Sequence, residues 1–167
     1  NPAETDSEIL ELASSDIPCV STNDIIPGIP YVITENFDAG YKAAEYFIQN
    51  GHKKMCYIAG PSSVYTTASM ERLEGFKKCL SENQICFDES LIETSPSWFR
   101  ENGFNAMEKI WKRHNDVTAV FAANDGMAIG AMEYFQSIGV SVPDKVSFIG
   151  FDDELFSSYF TPTLTTF

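Results

Sequence analysis

Apolar residues follow two rhythms along this chain: short unbroken runs, and longer stretches in which they recur every three or four positions. The runs Met55–Ala59 and Ala119–Ala122 carry no charged side chain, as strands buried on both faces require. Residues 39–49 place Tyr41, Ala44, Phe47 and Ile48 on one side. Residues 70–82 do the same with Leu73, Phe76 and Leu80, and residues 98–113 with Phe104, Met107, Ile110 and Trp111. In residues 125–137 the inner face is Met127, Ala131, Tyr134 and Phe135, with Ile138 just beyond. These spacings predict four amphipathic helices. A further helical spacing covers residues 5–13, and shorter strands are predicted at residues 17–20, 31–34, 91–92 and 146–149.

Punctuation agrees with the rhythm. Pro27, Gly28 and Pro30 mark a loop, Asp38 is placed to cap the helix that follows it, and Asn50-Gly51 and Gly139 stand where helices should stop. Strands that recur about every thirty residues with helices between them must pair in parallel through right-handed crossovers. The fold class is therefore α/β, a parallel sheet flanked by helices in a Rossmann-like three-layer architecture. Toward the end of the chain a strand, a polar turn and an amphipathic helix run from Ala119 to Ala131, and the same succession is expected to begin again with Val146 to Asp153. Side chains at the carboxyl ends of parallel strands line the ligand crevice of such sheets, so Asn124 and Asp152 are expected to face a common site.

Composition narrows the function. With 11 basic and 24 acidic residues and a formal net charge of -13, this chain lacks the cationic surface that duplex binding demands. Cys19, Cys56, Cys79 and Cys86 form no Cys-x-x-Cys pair and read as reduced thiols, which suits the cytoplasm. No leader-like segment opens the chain, and no apolar run approaches membrane-spanning length. The sequence has no Gly-x-Ser-x-Gly elbow, phosphate loop or dinucleotide fingerprint, and only two histidines, His52 and His114. An enzyme is not expected, and no cofactor is implied.

Several motifs in order resemble one family. They are Gly51-His52-Lys53, Gly60-Pro61, residues 71–76 (Glu-Arg-Leu-Glu-Gly-Phe), residues 123–131 (Ala-Asn-Asp-Gly-Met-Ala-Ile-Gly-Ala), residues 139–143, residues 150–153 (Gly-Phe-Asp-Asp) and Leu164-Thr165-Thr166. Their order and spacing are similar to the effector-binding region of the lactose-repressor (LacI/GalR) regulators. The resemblance implies a periplasmic-binding-protein-like (type I) lobe. On that plan residues 1–34 match the end of a first lobe, 35–165 a nearly complete second lobe, and 166–167 the start of a return to the first. The DNA-binding helix-turn-helix head would lie outside this chain.

The resemblance also implies roles. Arg72, Asn124 and Asp152 match effector-contacting positions, and Trp98 matches an aromatic that packs on the effector ring. Tyr65, in the hydroxyl-rich loop of residues 61–69, and Thr22, with its neighbour Asn23, are further expected ligand contacts. A guanidinium, an amide, a carboxylate and an aromatic wall complement a sugar, so the expected effector is a saccharide. Plainer readings stand beside these: Arg72 as a surface cation paired with Glu71 or Glu74, Trp98 as a helix-start residue over the core, Asp152 as a residue ordering its own turn, and Asp125 as a helix cap. Phe156, Tyr159 and Phe160 are expected at a homodimer interface, although Phe156 and Phe160 packing on residues 125–137 is the alternative. Glu35-Asn36 and Pro162-Thr163 depart from the family's usual acidic-Asn and double-proline patterns. The expected function is effector sensing for a transcription regulator that holds operator DNA through its head. The alternative is a periplasmic sugar-binding protein of a transport system.

Overall fold

A computed structural model describes residues 11–22, 25–61 and 67–167. Residues 11–13 are helical and precede a two-stranded parallel ladder of β1 (Ser21–Thr22) and β2 (Tyr31–Val32). The larger unit alternates α1 (Asn36–Gln49), β3 (Met55–Ala59), α2 (Ala68–Glu82), β4 (Ile92–Thr94), α3 (Arg100–Arg113), β5 (Ala119–Ala122), α4 (Asp125–Ser137), β6 (Ser147–Gly150) and β7 (Thr165–Thr166). Its five strands are all parallel, in the order β4-β3-β5-β6-β7.

That order fixes where a site can be. The chain moves outward from β3 to β4, then returns past β3 to β5, so right-handed crossovers put α2 on one face and α3 and α4 on the other. The reversal lies between β3 and β5, and a crevice at a parallel sheet's carboxyl rim opens at such a switch point. All residues of β3 and β5 are buried, which explains their unbroken apolar runs. Alternate side chains feed two aromatic clusters. Tyr57 and Phe121 meet Phe76 of α2, with ring centroids 6.3 and 5.7 Å from it, while Phe135 of α4 meets Trp111 and Phe148 on the opposite face.

The helices dock as two pairs through reciprocal glycines. Gly40 of α1 lies against the Arg72 carbonyl of α2, and Gly75 of α2 lies against the Phe37 carbonyl of α1. On the other face Gly103 of α3 abuts the Met127 carbonyl of α4, and Gly130 of α4 abuts the Arg100 carbonyl of α3. A methyl group at any of the four would overlap backbone.

Several local expectations shift. Residues 17–20 do not form the predicted strand; Ile17 and Val20 are exposed, and pairing begins at Ser21, because Pro18 offers no backbone donor there. The first helix of the larger unit starts at Asn36, so Asp38 is not its cap but a first-turn acid paired with Lys42 at 2.6 Å. Leu91 closes a short 3-10 turn whose Asp88 side chain accepts from the Ser90 amide, which delays β4 to Ile92. The helix predicted from residue 98 begins at Arg100, Ile138 is exposed, and the second strand-and-turn unit is followed only by a 3-10 turn, Leu155–Ser158.

Candidate functional site

The rim begins with Gly60, the residue after β3. The six-membered ring of Trp98 lies where a side chain at Gly60 would project, so the strand end and the aromatic are fitted to each other. The Gly60 amide donates to Ser69 Oγ at 2.9 Å, and buried Tyr57 donates its hydroxyl to the Ser69 carbonyl at 2.7 Å. Burial raises the Tyr57 pKa, which keeps that hydroxyl a donor. These bonds pin the start of α2 against β3 and set the position of Arg72 one turn later.

Arg72 is only 6% exposed. Its Nε donates to Asn36 Oδ1 at 3.0 Å, its Nη1 donates to the Ala123 carbonyl, and its guanidinium carbon stands 3.3 Å from the centroid of the Phe151 ring. Asn36 is held in turn, since its Nδ2 donates to Glu71 Oε2 at 3.2 Å while Thr67 donates to Glu71 Oε1 at 2.6 Å. Burial lowers the Arg72 pKa, opposed by Tyr57, Asp152 and Glu71. The surface-cation reading of Arg72 is thereby excluded: this is a buried donor anchored to the start of α1 and to the ends of β5 and β6.

Asn124 and Asp125 divide the work that was expected of one cap. Asn124 Oδ1 accepts from the Met127 amide at 2.8 Å, so Asn124 rather than Asp125 caps α4, and its Nδ2 donates to the Trp98 carbonyl at 3.1 Å. One amide hydrogen and one lone pair of Asn124 remain for another partner. Asp125 is fully buried. Its carboxylate accepts from the Glu154 amide at 2.8 Å, from Ser157 Oγ at 2.7 Å and from Thr166 Oγ1 at 2.6 Å, while its amide donates to the Phe151 carbonyl at 2.8 Å. Gly150 leaves room for this carboxylate, which occupies the place its side chain would need. No periodicity in the sequence distinguishes such a residue from an ordinary helix-start acid; Gly150 preceding Phe151-Asp152 was the only hint of close approach.

Asp152 and Asp153 follow β6 with φ of 109° and 50°, a region that non-glycine residues seldom occupy. The Asp152 amide donates to the Phe167 carbonyl at 2.9 Å, and the rings of Phe151 and Phe167 stack at 6.4 Å. The Asp152 side chain is exposed at the rim. Desolvation by the wall behind it raises its pKa, Arg72 lowers it, and Asp125 and Glu154 reinforce the rise. Among the described residues no ion pair joins Arg72 to Asp152. A donor-only cation and an acceptor-only carboxylate therefore flank the rim without neutralising each other directly.

Of the residues expected in the site, Arg72, Trp98, Asn124 and Asp152 come together on the carboxyl rim around the β3/β5 switch point. Thr22 is exposed on the separate β1/β2 ladder, and Tyr65, like Asn23, lies outside the described residues. Asn36 was missed as part of the set, although Glu35-Asn36 had been noted. At the opposite, amino-terminal rim lies a cavity of about 370 Å³ lined by Asn50, His52, Pro143, Ser147 and Thr163 among others. His52 there has its pKa lowered by burial, and its Nδ1 lies 3.0 Å from Thr118 Oγ1. Phe160 packs on the core, whereas Phe156 and Tyr159 are 45% and 75% exposed beside Leu155 at 73%.

Residues 44–167 match the periplasmic binding protein-like domain family. The chain is 37% identical over 162 residues to the probable HTH-type transcriptional repressor ExuR of Bacillus subtilis, an alignment that covers 96% of this chain and 48% of that protein. The chain belongs to the LacI/GalR family, in its periplasmic-binding-protein-like domain. It is also 40% identical over 135 residues to the HTH-type transcriptional repressor PurR of Escherichia coli, covering 81% of this chain and 39% of that one. Among solved structures, a LacI-family regulator from Burkholderia phymatum superposes with a TM-score of 0.86 at 32% identity, covering 96% of this chain and 58% of that chain. A sugar-binding LacI-family regulator from Escherichia coli, complexed with phosphate, gives 0.80 at 30% identity, covering 99% and 58%. The CelR regulator in complex with cellobiose gives 0.84 at 26% identity, again covering 99% and 58%. The chain spans about half the length of the curated relatives it matches. These relatives are transcription regulators rather than enzymes or transport proteins, and no helix among the described residues is long and apolar enough to cross a membrane.

Proposed function

We propose that this chain is most of an effector-sensing domain of a cytoplasmic transcription regulator, and that its effector is a saccharide held at the carboxyl rim by Arg72, Asn124 and Asp152 against Trp98. The observation that carries the reading is the unneutralised pair of buried Arg72, stacked on Phe151, and Asp152 at the same rim. A hydroxyl is both donor and acceptor, so a polyol placed between them accepts from the guanidinium and donates to the carboxylate; an ionised ligand group satisfies only one side. Trp98 supplies an apolar face for the sugar ring, and Asn124 retains one donor and one acceptor. Thr22 is assigned to the facing side of the cleft, on the first lobe, and Tyr65 to the variable loop of the second, with residues 1–34 belonging to a first lobe, residues 35–165 to the second, and residues 166–167 to the start of the return to the first.

A ligand bridging two lobes shifts their equilibrium only through its differential affinity for the closed state. In a protein of the relatives' length, that closure would alter the spacing of two DNA-binding heads in a homodimer whose contact includes Phe156 and Tyr159, with Phe160 buttressing them. Operator DNA is bound by the head, not by this acidic chain. A thermal-shift screen of the whole regulator against neutral sugars, sugar acids, sugar phosphates and nucleobases tests the reading, because a ligand of the folded state raises the melting temperature. A neutral sugar is expected to give the largest shift; a nucleobase as the sole binder would overturn the saccharide assignment.

A further inference from the structure

The turn that presents Asp152 is built unlike an ordinary loop. Two successive non-glycine residues with positive φ are strained and persist only where the surroundings over-determine them. Four backbone groups from Phe151 to Glu154 lead either to Asp125, directly or through Thr166, or to Phe167. The Phe151 carbonyl accepts from the Asp125 amide at 2.8 Å, and the Glu154 amide donates to Asp125 Oδ2 at 2.8 Å. The Asp153 amide donates to Thr166 Oγ1 at 3.3 Å, which itself donates to Asp125 Oδ1 at 2.6 Å. The Asp152 amide is taken by the Phe167 carbonyl next door at 2.9 Å. Asp125 thus holds the turn at both ends, through its own amide at Phe151 and through its buried carboxylate at Glu154 and, by way of the Thr166 hydroxyl, at Asp153.

We propose that Asp125 is a positioning residue: it does not meet the effector, but it holds the backbone of residues 151–154 in the conformation that aims the Asp152 carboxylate across the rim. The donor set calls for two accepting oxygens. Three donors, an amide and two hydroxyls, converge on its oxygens, and a carboxylate accepts from all of them, whereas an asparagine must turn a donor toward one. The same carboxylate accepts from Ser157 at 2.7 Å, in the 3-10 turn that bears the exposed Phe156, so the turn and the aromatic patch share one anchor. The functional meaning of this geometry rests on the reading of Asp152 as an effector contact, but the geometry itself can be tested without any ligand.

The test is amide hydrogen exchange, resolved by residue, on the parent chain and on Asp125→Asn, Thr166→Val and Thr166→Ser. Asp125→Asn is expected to speed exchange at Asp153 and Glu154 roughly tenfold relative to amides of β3 and β5, the scale of losing about one net hydrogen bond. Thr166→Val, which removes only the relay, should speed Asp153 selectively, and Thr166→Ser should restore parental exchange. If Asp125→Asn does not fold, the two threonine variants decide the matter. Unchanged exchange at residues 153 and 154, acceleration spread evenly over the whole sheet, or a serine variant no better than valine would each overturn the proposal. Failure of the saccharide screen with selective exchange intact would strike the effector assignment and leave the positioning role standing.

Discussion

Two glycines one helical turn apart in α4 should respond to alanine in opposite directions. At Gly130 an added methyl group would overlap the Arg100 carbonyl and come 2.9 Å from the Phe104 amide nitrogen, all backbone of α3. Neither helix can relieve that overlap by a rotamer change, so α3 and α4 must separate, and overpacking of this kind typically costs about 1–3 kcal/mol or more. At Gly126 the nearest atom is the Trp98 carbonyl oxygen at 3.4 Å, followed by the Asn124 side chain at 3.8 Å, which is ordinary contact. There the helix gains up to about 1 kcal/mol from the better propensity of alanine. For a domain of this size each kcal/mol moves the melting temperature by about 2–4 °C. Gly130→Ala should therefore melt several degrees below the parent and Gly126→Ala no lower than the parent, as measured by circular dichroism at 222 nm. Equal behaviour of the two variants would refute the close helix crossing that carries Asn124 and Asp125 to the rim.

Other outcomes follow from the charges and the patch. Asp152 has a raised pKa in the fold, so its ionisation as pH rises above the ordinary value of 3.8 costs stability. Asp152→Asn, tolerated at positive φ, should be at least as stable as the parent at pH 7, with the difference vanishing below pH 3.8, while effector affinity falls; a variant destabilised at neutral pH would contradict this. Burial lowers the His52 pKa below 6.5, so its contribution is complete above that pH and lost as pH falls toward the lower folded value. His52→Gln should flatten the parent's loss of denaturant resistance below pH 6.5, and an unchanged slope would remove His52 from the account. Tyr159→Glu, at a 75% exposed side chain, should lower the mass of the whole regulator in light scattering without lowering its melting temperature as a monomer. A particle as large as the parent would place the interface elsewhere.

What could be read from the sequence divides along physical lines. The buried runs of β3 and β5 and the three-and-four spacing of the helices survive because burial of whole faces leaves a periodic trace; the placement of Asn124 and Asp152 at one rim was legible from the strand ends they follow, and that of Arg72 and Trp98 only from the order of the motifs. The start of α1 was misplaced because Asp38 is a plausible cap, yet Glu35 precedes the helix with no side-chain capping bond. The first strand was placed too early because Ile17 and Val20 look like core positions yet are exposed, and Pro18 withholds a backbone donor, so pairing waits for Ser21. Asp125 was misread because its partners, Glu154, Ser157 and Thr166, lie far along the chain, and long-range satisfaction of a buried charge leaves no local signal. The same is true of Asn36, whose role appears only through its bond to Arg72.

Effector binding at the carboxyl rim is best checked by residue-resolved NMR shift mapping during titration of the whole regulator with the best neutral sugar from the screen. The largest perturbations are expected at Gly60, the Trp98 indole, Asn124 and Asp152, saturating together. Perturbations centred instead on Asn50, His52, Pro143 and Ser147, around the cavity at the opposite rim, would contradict it.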